Sequence, residues 1–395
     1  MLIVMKFGGS SLATAERLNK AAALIAAQRQ AGDDVVAVVS AQGDCTDHLL
    51  AQADEVTSMP ALREKDVLLS CGEQMSMALM AMALEEQGCK ALSFCGWQAG
   101  IMTESRHGNA AIRSISPHRI QQALKEGNVA VIAGFQGINE QGEITTIGRG
   151  GSDTTAVALA AALKAERCRI YTDVPGVCSA DPRTVAEALL YREIPYDEML
   201  EMAALGAGVL HPRAVRLAKE KGVCLEVRSS FSPELAGTTV ALETPKKCVR
   251  GVTVVAPIAM ITLRGFTPGR NSAALFARLE EWKAEVDTVI RGEETQLSFS
   301  LPQAGSETLL ALLKEAQEAI GFQTVTCREG LCKVSLVGGG LSEGSDIAAK
   351  MLFALAEREI FPTYITAGPL SLSVILPESE KKSAVQALHK TFFRE

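Results

Sequence analysis

The chain has 395 residues, of which 47% are hydrophobic and 22% are charged, as is usual for a soluble globular protein. Its formal net charge is −7 and its basic residues are scattered, which argues against nucleic-acid binding and against a polybasic membrane anchor. No segment reaches the roughly 18 continuous apolar residues of a membrane span. The ten cysteines include no Cys-x-x-Cys pair. We therefore expect a cytoplasmic protein of two or three domains with neither nucleic-acid nor membrane partners.

Up to about residue 243, short apolar runs alternate with longer helical stretches. The runs at 2–7, 34–41, 129–135 and 168–174 are typical of buried strands, and residues 14–32 are typical of a helix. This alternation predicts an α/β domain with a mostly parallel sheet that is covered by helices on both faces.

Glycines and polar residues follow several of these predicted strands. They cluster at 6–11 ("KFGGSS"), 40–46 and 172–176. Because ligands of such folds bind at the carboxyl ends of the strands, these stretches are candidate binding loops.

A fourth candidate loop, "TTIGRGGSDTTAVALAAAL" (145–163), leads into an Ala-rich helix. Its glycines allow backbone N–H groups to approach a ligand closely, and a helix N-terminus favours negative charge. Arg149 adds a fork suited to a carboxylate or a phosphate. The stretch indicates an anion site, although a plain turn before a helix is an equally open interpretation from these residues alone.

The composition changes near "ETPKK" (243–247), which is polar and contains a proline. Beyond it, short strand and helix patterns follow the order β-α-β-β-α-β twice. We therefore predict a first domain at 1–243 and a second region at 244–395. The second region would hold one ferredoxin-like module at about 258–328 and another at about 329–395, completed by a strand from 248–257.

Several motifs occur together in the order and spacing of a known family. The chain resembles the amino-acid kinase family, and within it the branch that phosphorylates aspartate and carries tandem C-terminal ACT modules. The motifs are "KFGGSS" (6–11), "GEQMS" (72–76), "ESRHGNA" (104–110), "IAGFQGIN" (132–139), the 145–163 stretch, "YTDVPGVCSADPR" (171–183) and "GAGVLHPRAV" (206–215). The resemblance implies an amino-acid kinase fold, with helices on both faces of a mostly parallel sheet, followed by two ferredoxin-like ACT modules.

The resemblance also implies an activity. The γ-phosphoryl group of ATP would pass to the side-chain carboxylate of L-aspartate, giving 4-phospho-L-aspartate in the first step of lysine, threonine and methionine biosynthesis. Mg²⁺ would act with ATP and would be held mainly by its phosphates, with no metal site built from protein ligands. ACT modules imply a homodimer or a higher homo-oligomer, and an amino-acid effector such as lysine or threonine.

Two residues would be catalytic by this resemblance. Lys6 would span the β- and γ-phosphates, and Asp153 would orient Lys6 or help to place magnesium, although helix capping is its structural alternative. Arg149 would clamp the α-carboxylate of aspartate and Glu73 would pair with the ammonium group, although Glu73 could also be a solvated residue near a helix start. The implied substrate-binding residues are Thr46, Glu73, Arg149, Gly150, Gly151 and Ser152.

The nucleotide would be bound by loops around the first strand and around 172–183. Asp181-Pro182 is equally compatible with a plain turn. The implied ATP-binding residues are Lys6, Phe7, Gly8, Gly9, Ser10, Ser40, Thr172, Asp173, Val177, Cys178, Ser179, Ala180, Asp181, Pro182, Arg183 and Gly208. His211 is interpreted as structural.

The chain also departs from the family pattern. Gly208 stands where the family usually has a lysine, which predicts weaker nucleotide binding or a lower rate unless Lys219 or Arg213 reaches across. The ACT segments at 266–272, 338–346 and 359–364 differ from those of relatives that sense lysine and threonine. These differences predict weak or altered feedback.

Two other functions remain open from the sequence. A sister kinase for glutamate or another small acid would share the fold. A catalytically impaired amino-acid sensor, acting through its ACT modules, would be consistent with Gly208.

Overall fold

The chain divides into two compact units in a computed structural model, which describes residues 1–242, 248–266, 269–292, 295–341 and 345–393. The first unit comprises Met1–Cys178 and Leu189–Pro245, and the second comprises Ser179–Ala188 and Lys246–Glu395. The boundary predicted at 243–244 lies outside the described residues. The segment Ser179–Ala188, which the sequence assigns to the first domain, packs within the second unit.

The first unit alternates strands and helices as its hydrophobic pattern predicts. Its strands are β1 (Leu2–Phe7), β2 (Asp34–Val39), β3 (Ala91–Phe94), β4 (Ile101–Thr103), β5 (Ile112–Ile115), β6 (Val129–Ala133), β7 (Gln136–Ile138), β8 (Ile144–Thr146), β9 (Arg167–Thr172), β10 (Glu193–Pro195), β11 (Leu225–Ser229) and β12 (Thr238–Ala241). Its helices are α1 (Gly9–Leu12), α2 (Ala15–Gln30), α3 (Cys45–Val56), α4 (Leu62–Glu86), α5 (His118–Lys125), α6 (Gly151–Leu163), α7 (Tyr196–Ala204) and α8 (Pro212–Lys221).

The main sheet of this unit has the strand order β10-β12-β11-β9-β1-β2-β6-β3. Its neighbouring strands are parallel except for the pair β11 and β12. A smaller sheet has the order β5-β4-β7-β8. The predicted α/β architecture is confirmed.

The central strand β1 places its side chains alternately on the two faces of the sheet. Ile3, Met5 and Phe7 join the core formed with α2 and α4. The alternation therefore directs Lys6 to the opposite face, together with Val4. Helix α6, which is buried from Gly151 to Ala160, packs against β1 and β9.

Helix α4 is long and apolar enough to cross a membrane by length and composition alone. Half of its most apolar 18-residue stretch is buried inside the protein, and the helix carries the buried carboxylates Asp66 and Glu73. These features are those of a core helix in a folded domain.

The second unit contains an antiparallel sheet with the order β14-β15-β13-β16-β18-β17. Its strands are β13 (Gly251–Arg264), β14 (Val289–Arg291), β15 (Gln296–Pro302), β16 (Thr324–Val337), β17 (Tyr364–Ala367) and β18 (Ser371–Pro377). Its helices are α9 (Arg270–Glu281), α10 (Ser306–Glu315), α11 (Gln317–Ile320), α12 (Ser345–Ala356) and α13 (Lys381–Phe393), with 3₁₀ turns at Gln303–Gly305 and Glu378–Glu380.

Two long strands link the two halves of this sheet. β13 and β16 each run for 14 residues and pair with each other along most of their length. The sequence pattern divides β13 into a strand at 248–257 and another after 258, and the pairing is indeed irregular between Val255 and Ile258. The short edge strand β14 has no counterpart in the sequence-based prediction.

Candidate active site

The carboxyl ends of β1, β2 and β9 meet at one edge of the main sheet because the three strands are parallel neighbours. Two backbone hydrogen bonds join the first residue after one strand to the end of the neighbouring strand. The N–H of Gly8 donates to Tyr171 O at 3.3 Å, and the N–H of Ser40 donates to Phe7 O at 3.1 Å. Three of the glycine-rich and polar stretches of the sequence therefore lie side by side.

Lys6 and Asp153 form an ion pair at this edge. Lys6 Nζ lies 2.6 Å from Asp153 Oδ1, and each side chain is 12% exposed. Lys6 Nζ also lies 3.6 Å from the position that a Cβ on Gly8 would take, so its charge is next to the loop that follows β1. Asp153 stands in the first turn of α6, where a carboxylate is favoured by the helix dipole.

The loop before α6 depends on two glycines with left-handed backbone angles. Gly148 has φ of 83° and Gly150 has φ of 68°. A Cβ on Gly150 would lie 2.0 Å from Cγ of His211, so the imidazole packs directly on this residue. His211 also accepts a hydrogen bond at Nδ1 from the N–H of Arg213 and thereby caps α8. His211 is thus structural, as the sequence predicts.

Arg149 projects from this loop and is exposed. Its guanidinium has no hydrogen bond or ion pair within the described ranges of the chain. Ser152, in the first turn of α6, is buried and lies against Gly134, where a Cβ would come within 2.8 Å of the serine hydroxyl. The loop therefore presents an available cation beside a buried hydroxyl group.

Glu73 is buried in α4 and is only 4% exposed. Its Oε1 accepts a hydrogen bond of 3.0 Å from the N–H of Ala41, whereas its Oε2 has no hydrogen-bond partner among the described residues. Burial raises the pKa of Glu73 to about 7, against the opposing effects of the Ala41 hydrogen bond and the positive charge of Lys6. A buried carboxylate with an open oxygen is suited to binding a cationic group.

The contact between Ala41 and Glu73 depends on the absence of a side chain at Gly72. A Cβ on Gly72 would lie 2.8 Å from Cβ of Ala41 and 3.4 Å from Sγ of Cys45. Gly72 therefore lets the loop between β2 and α3 lie directly on α4. The same loop leads to Thr46, which is half-buried in the first turn of α3.

The residues expected to bind the nucleotide are placed in two groups. Thr172 ends β9 beside the Gly8 loop, and its hydroxyl donates to Asp173 Oδ1 at 3.1 Å. Val177 and Cys178 are buried in the first unit. Phe7 stacks on Tyr171 with ring centroids 4.7 Å apart, while Gly9 and Ser10 begin the short helix α1.

The remaining part of that stretch, Ser179 to Arg183, is described with the second unit. Ser179 O accepts a hydrogen bond from the N–H of Val252, and Ala180 is buried in the core of that unit. Asp181 accepts hydrogen bonds from the backbone and the guanidinium of Arg183, on either side of Pro182. Pro182 and Arg183 thus lie in a turn that the Asp181 carboxylate closes.

Gly208 is exposed and has φ of 63°, and a Cβ at this residue would lie 3.9 Å from Gly206 O. Lys219 and Arg213, the two cations considered as replacements for the family lysine, have other partners. Lys219 Nζ binds Asp197, and Arg213 Nη1 donates to Ile147 O at 3.0 Å.

Sequence reasoning missed a buried cluster around Asp66. Asp66 accepts hydrogen bonds from His107, Gly108 and Thr146. The available signal was the histidine of the "ESRHGNA" motif, because Asp66 follows Arg63, Glu64 and Lys65 and does not stand out among these charged residues.

Comparisons with known proteins agree with this architecture. The model of the amino acid kinase family matches residues 1–229, and a model of the ACT domain matches residues 334–392. The chain is 46% identical over 399 residues to an aspartokinase of Bacillus sp. strain MGA3, with 99% of this chain and 97% of the relative covered. The chain belongs to the amino acid kinase family and, within it, to the aspartokinases. The family predicted from the motifs is thereby confirmed.

Other aspartokinases are also similar to the chain over nearly its full length. Aspartokinase 2 of Bacillus subtilis is 44% identical, with 99% of this chain and 97% of the relative covered. Aspartokinase III of E. coli in complex with aspartate and ADP, in the R-state, has a TM-score of 0.87 and 27% identity, with both chains covered completely. The same enzyme with lysine and aspartate, in the T-state, has a TM-score of 0.79.

The importance of the close approach between Gly72 and Ala41 can be tested by substitution. A Gly72→Ala substitution favours the helix by about 1 kcal/mol in intrinsic propensity, but its methyl group would displace Ala41 from Glu73. We expect KM for the amino-acid substrate to rise by about tenfold without a loss of thermal stability.

The double variant Gly72→Ala/Ala41→Gly removes the methyl group that clashes and serves as the matched control. Steady-state kinetics should show KM restored in the double variant. An unchanged KM in Gly72→Ala alone would contradict the role given to this close approach.

Proposed function

We propose that the chain uses this site to transfer the γ-phosphoryl group of ATP to the side-chain carboxylate of L-aspartate, forming 4-phospho-L-aspartate. The observation that carries the assignment of residues is the buried carboxylate of Glu73, one oxygen of which has no hydrogen-bond partner among the described residues. Such a group needs a cation, and the ammonium group of an amino acid supplies one. Arg149, exposed and without an ion pair among the described residues, would bind the α-carboxylate, with Ser152 and the backbone of Gly150 and Gly151 beside it.

The side-chain carboxylate of aspartate would then be the nucleophile. It is ionised at neutral pH because its pKa is about 3.9, so no general base has to remove a proton. The chemical difficulty is the approach of a negatively charged acceptor to a polyanion. Positioning and positive charge address this difficulty, and Lys6 is the cation that the sheet holds at the strand ends.

Lys6 would contact the β- and γ-phosphates and follow the charge that develops as the phosphoryl group moves. Asp153 would keep the ammonium group of Lys6 in place through the 2.6 Å ion pair between the two side chains. Gly8, Gly9 and Ser10 would donate to phosphate oxygens, with Phe7, Ser40, Thr172, Asp173, Val177 and Cys178 around the nucleotide. The assignment of Ser179, Ala180, Asp181, Pro182, Arg183 and Gly208 to the nucleotide rests on the family resemblance.

Magnesium would bind mainly to the phosphates of ATP. The described residues contain no group of three or more His, Cys, Asp or Glu side chains arranged to hold a metal ion. Asp153 is the carboxylate nearest to Lys6 and would be the protein group available to the hydrated ion. When bound, Mg²⁺ neutralises phosphate charge and orients the γ-phosphoryl group.

The E. coli enzyme has been solved with lysine in its T-state. By analogy, the second unit would bind an amino-acid effector and would assemble into a homodimer or higher oligomer. The product would serve lysine, threonine and methionine biosynthesis in the cytoplasm.

Formation of the acyl phosphate provides the direct test. Product trapped as a hydroxamate should form from L-aspartate with ATP and Mg²⁺ and much less from L-glutamate. We expect Lys6→Ala to lower kcat by about 10²-fold or more and Arg149→Ala to raise KM for aspartate.

Lys20→Ala and Arg113→Ala are matched controls, because Lys20 and Arg113 are exposed and paired with Glu16 and Glu140. Product from glutamate alone would favour the sister kinase. Binding of amino acids without turnover of either acid would favour the impaired sensor.

The raised pKa of Glu73 predicts a pH dependence. Ionised Glu73 is the form that pairs with an ammonium group, and below about pH 7 the free enzyme increasingly carries a proton on this carboxyl. We expect kcat/KM for aspartate to fall by about tenfold per unit as the pH drops below 7, and to level off above it.

Glu73→Gln imitates the protonated form and should be slow and nearly independent of pH across the same range. Profiles of kcat/KM against pH, measured over about 1.5 units on either side of pH 7, decide this. A wild-type profile that stays flat through pH 7 would exclude Glu73 as the ammonium-binding group.

The departures in the ACT segments predict weak or altered feedback by lysine and threonine. Residues 267–268 and 342–344 of these segments lie outside the described residues. Pro362 precedes the edge strand β17 and has no N–H to donate to an effector. Dose–response curves with each amino acid should show little inhibition at millimolar concentration, and strong inhibition by either would refute this prediction.

A further inference from the structure

A second buried carboxylate lies in the same helix as Glu73. Asp66 is 1% exposed, and both of its oxygens accept hydrogen bonds. Oδ1 accepts from Thr146 Oγ1 at 2.5 Å and from the N–H of Gly108 at 3.0 Å. Oδ2 accepts from the same N–H at 3.0 Å and from His107 Nδ1 at 3.0 Å. The carboxylate thus joins α4 to the loop at 104–110 and to the end of β8.

His107 extends this network to the β7–β8 hairpin. Its Nε2 lies 3.4 Å from Oε2 of Glu143. Glu143 in turn accepts from Arg63 Nε at 3.0 Å and from Asn139 Nδ2 at 3.3 Å. Since Arg63 is also in α4, the hairpin that leads to Arg149 is attached to this helix at two points.

The loop at 104–110 packs directly against the residues before Arg149. The N–H of Ala110 donates to Thr146 O at 2.9 Å. Oδ1 of Asn109 lies 2.7 Å from the position that a Cβ on Gly148 would take. From the other side, Arg213 Nη1 donates to Ile147 O at 3.0 Å. The backbone of 146–148 is thereby held between α4 and α8, one residue before the proposed carboxylate clamp.

Asp66 and Glu73 are seven residues apart, which is about two helical turns and places both on one face of α4. Between them, Ser70 O accepts a hydrogen bond of 2.9 Å from Gln136 Nε2 of the same hairpin. One rigid helix therefore carries Glu73 and also anchors the segment that carries Arg149. The spacing between the two charges is set by this helix.

We propose that Asp66 is a positioning residue of the amino-acid site, which holds the Arg149 loop at a defined distance from Glu73. The inference rests on the proposed function, in which these two residues bind the α-carboxylate and the ammonium group. A fixed spacing places the side chain of the bound acid at one depth. Asp66 thus contributes to the discrimination between aspartate and glutamate, which differ by one methylene group.

The substitution Asp66→Asn tests this role. An amide has one oxygen and an N–H₂ group, so it would place a donor against His107 or Gly108, both of which donate. We expect KM for aspartate to rise by about tenfold or more, with KM for ATP within about twofold of wild type. The ratio of kcat/KM for aspartate to that for glutamate should fall.

Thr146 supplies a milder variant and a conservative one. Thr146→Val removes one hydrogen bond to Asp66 and should shift KM and the selectivity ratio in the same direction, by less. Thr146→Ser keeps the hydroxyl group and should restore both. If Asp66→Asn does not fold, the comparison of Val with Ser at residue 146 decides.

Asp33→Asn is the matched control for burial of a carboxylate. Asp33 is 7% exposed and accepts hydrogen bonds from Gln28 and the N-terminal ammonium group. It precedes β2 and so lies at the opposite edge of the sheet from the proposed site. This variant should lose stability without any change in KM or selectivity.

The outcomes separate the two levels of the proposal. If the wild type makes no acyl phosphate from aspartate, the proposed function fails and the role of Asp66 falls with it. If the wild type is active and Asp66→Asn loses only thermal stability or active fraction, with KM and the selectivity ratio unchanged, then Asp66 is merely structural and this inference is overturned.

Discussion

The ion pair between Lys6 and Asp153 is the interaction on which the rest of the site depends. It connects the central strand β1 to the first turn of α6 at the edge where the parallel strands end. Removing two charges from water is costly, and such a pair contributes little stability by itself. Its value lies in position, because a partly buried lysine held by one carboxylate can be shared with the phosphates of a nucleotide.

Helix α4 shows how similar buried carboxylates serve different purposes. Asp66 uses both oxygens to accept hydrogen bonds from protein groups, so its charge is satisfied within the fold. Glu73 accepts a hydrogen bond from the N–H of Ala41 at one oxygen, and its other oxygen has no hydrogen-bond partner in the part of the chain that the structure describes. Burial raises the pKa of Glu73 to about 7. A carboxylate with both oxygens hydrogen-bonded to the protein anchors neighbouring loops, whereas a carboxylate with one unpaired oxygen can still bind a cation.

Three glycines shape this site because side chains of other segments pack directly on their backbone. Gly72 admits Ala41, Gly134 admits Ser152, and Gly150 admits the imidazole of His211. Of these three glycines, Gly150 is the one that belongs to a glycine cluster before a predicted helix. Gly72 lies inside a helical pattern, where a single glycine gives no sign of the residue that will pack on it.

The alternating α/β pattern, the strand-end loops and, through the motifs, the amino acid kinase family were all predictable from the sequence. These features can be read along the chain, since hydrophobic period, turn residues and the order of motifs do not depend on which distant segments meet. The tertiary structure was needed to show that Asp66 binds His107 and Thr146, that Ser179–Ala188 packs with the second unit, and that β13 and β16 are each a single strand of 14 residues. The physical reason is that these contacts join residues distant in the chain, and which segments meet depends on packing that no local pattern records.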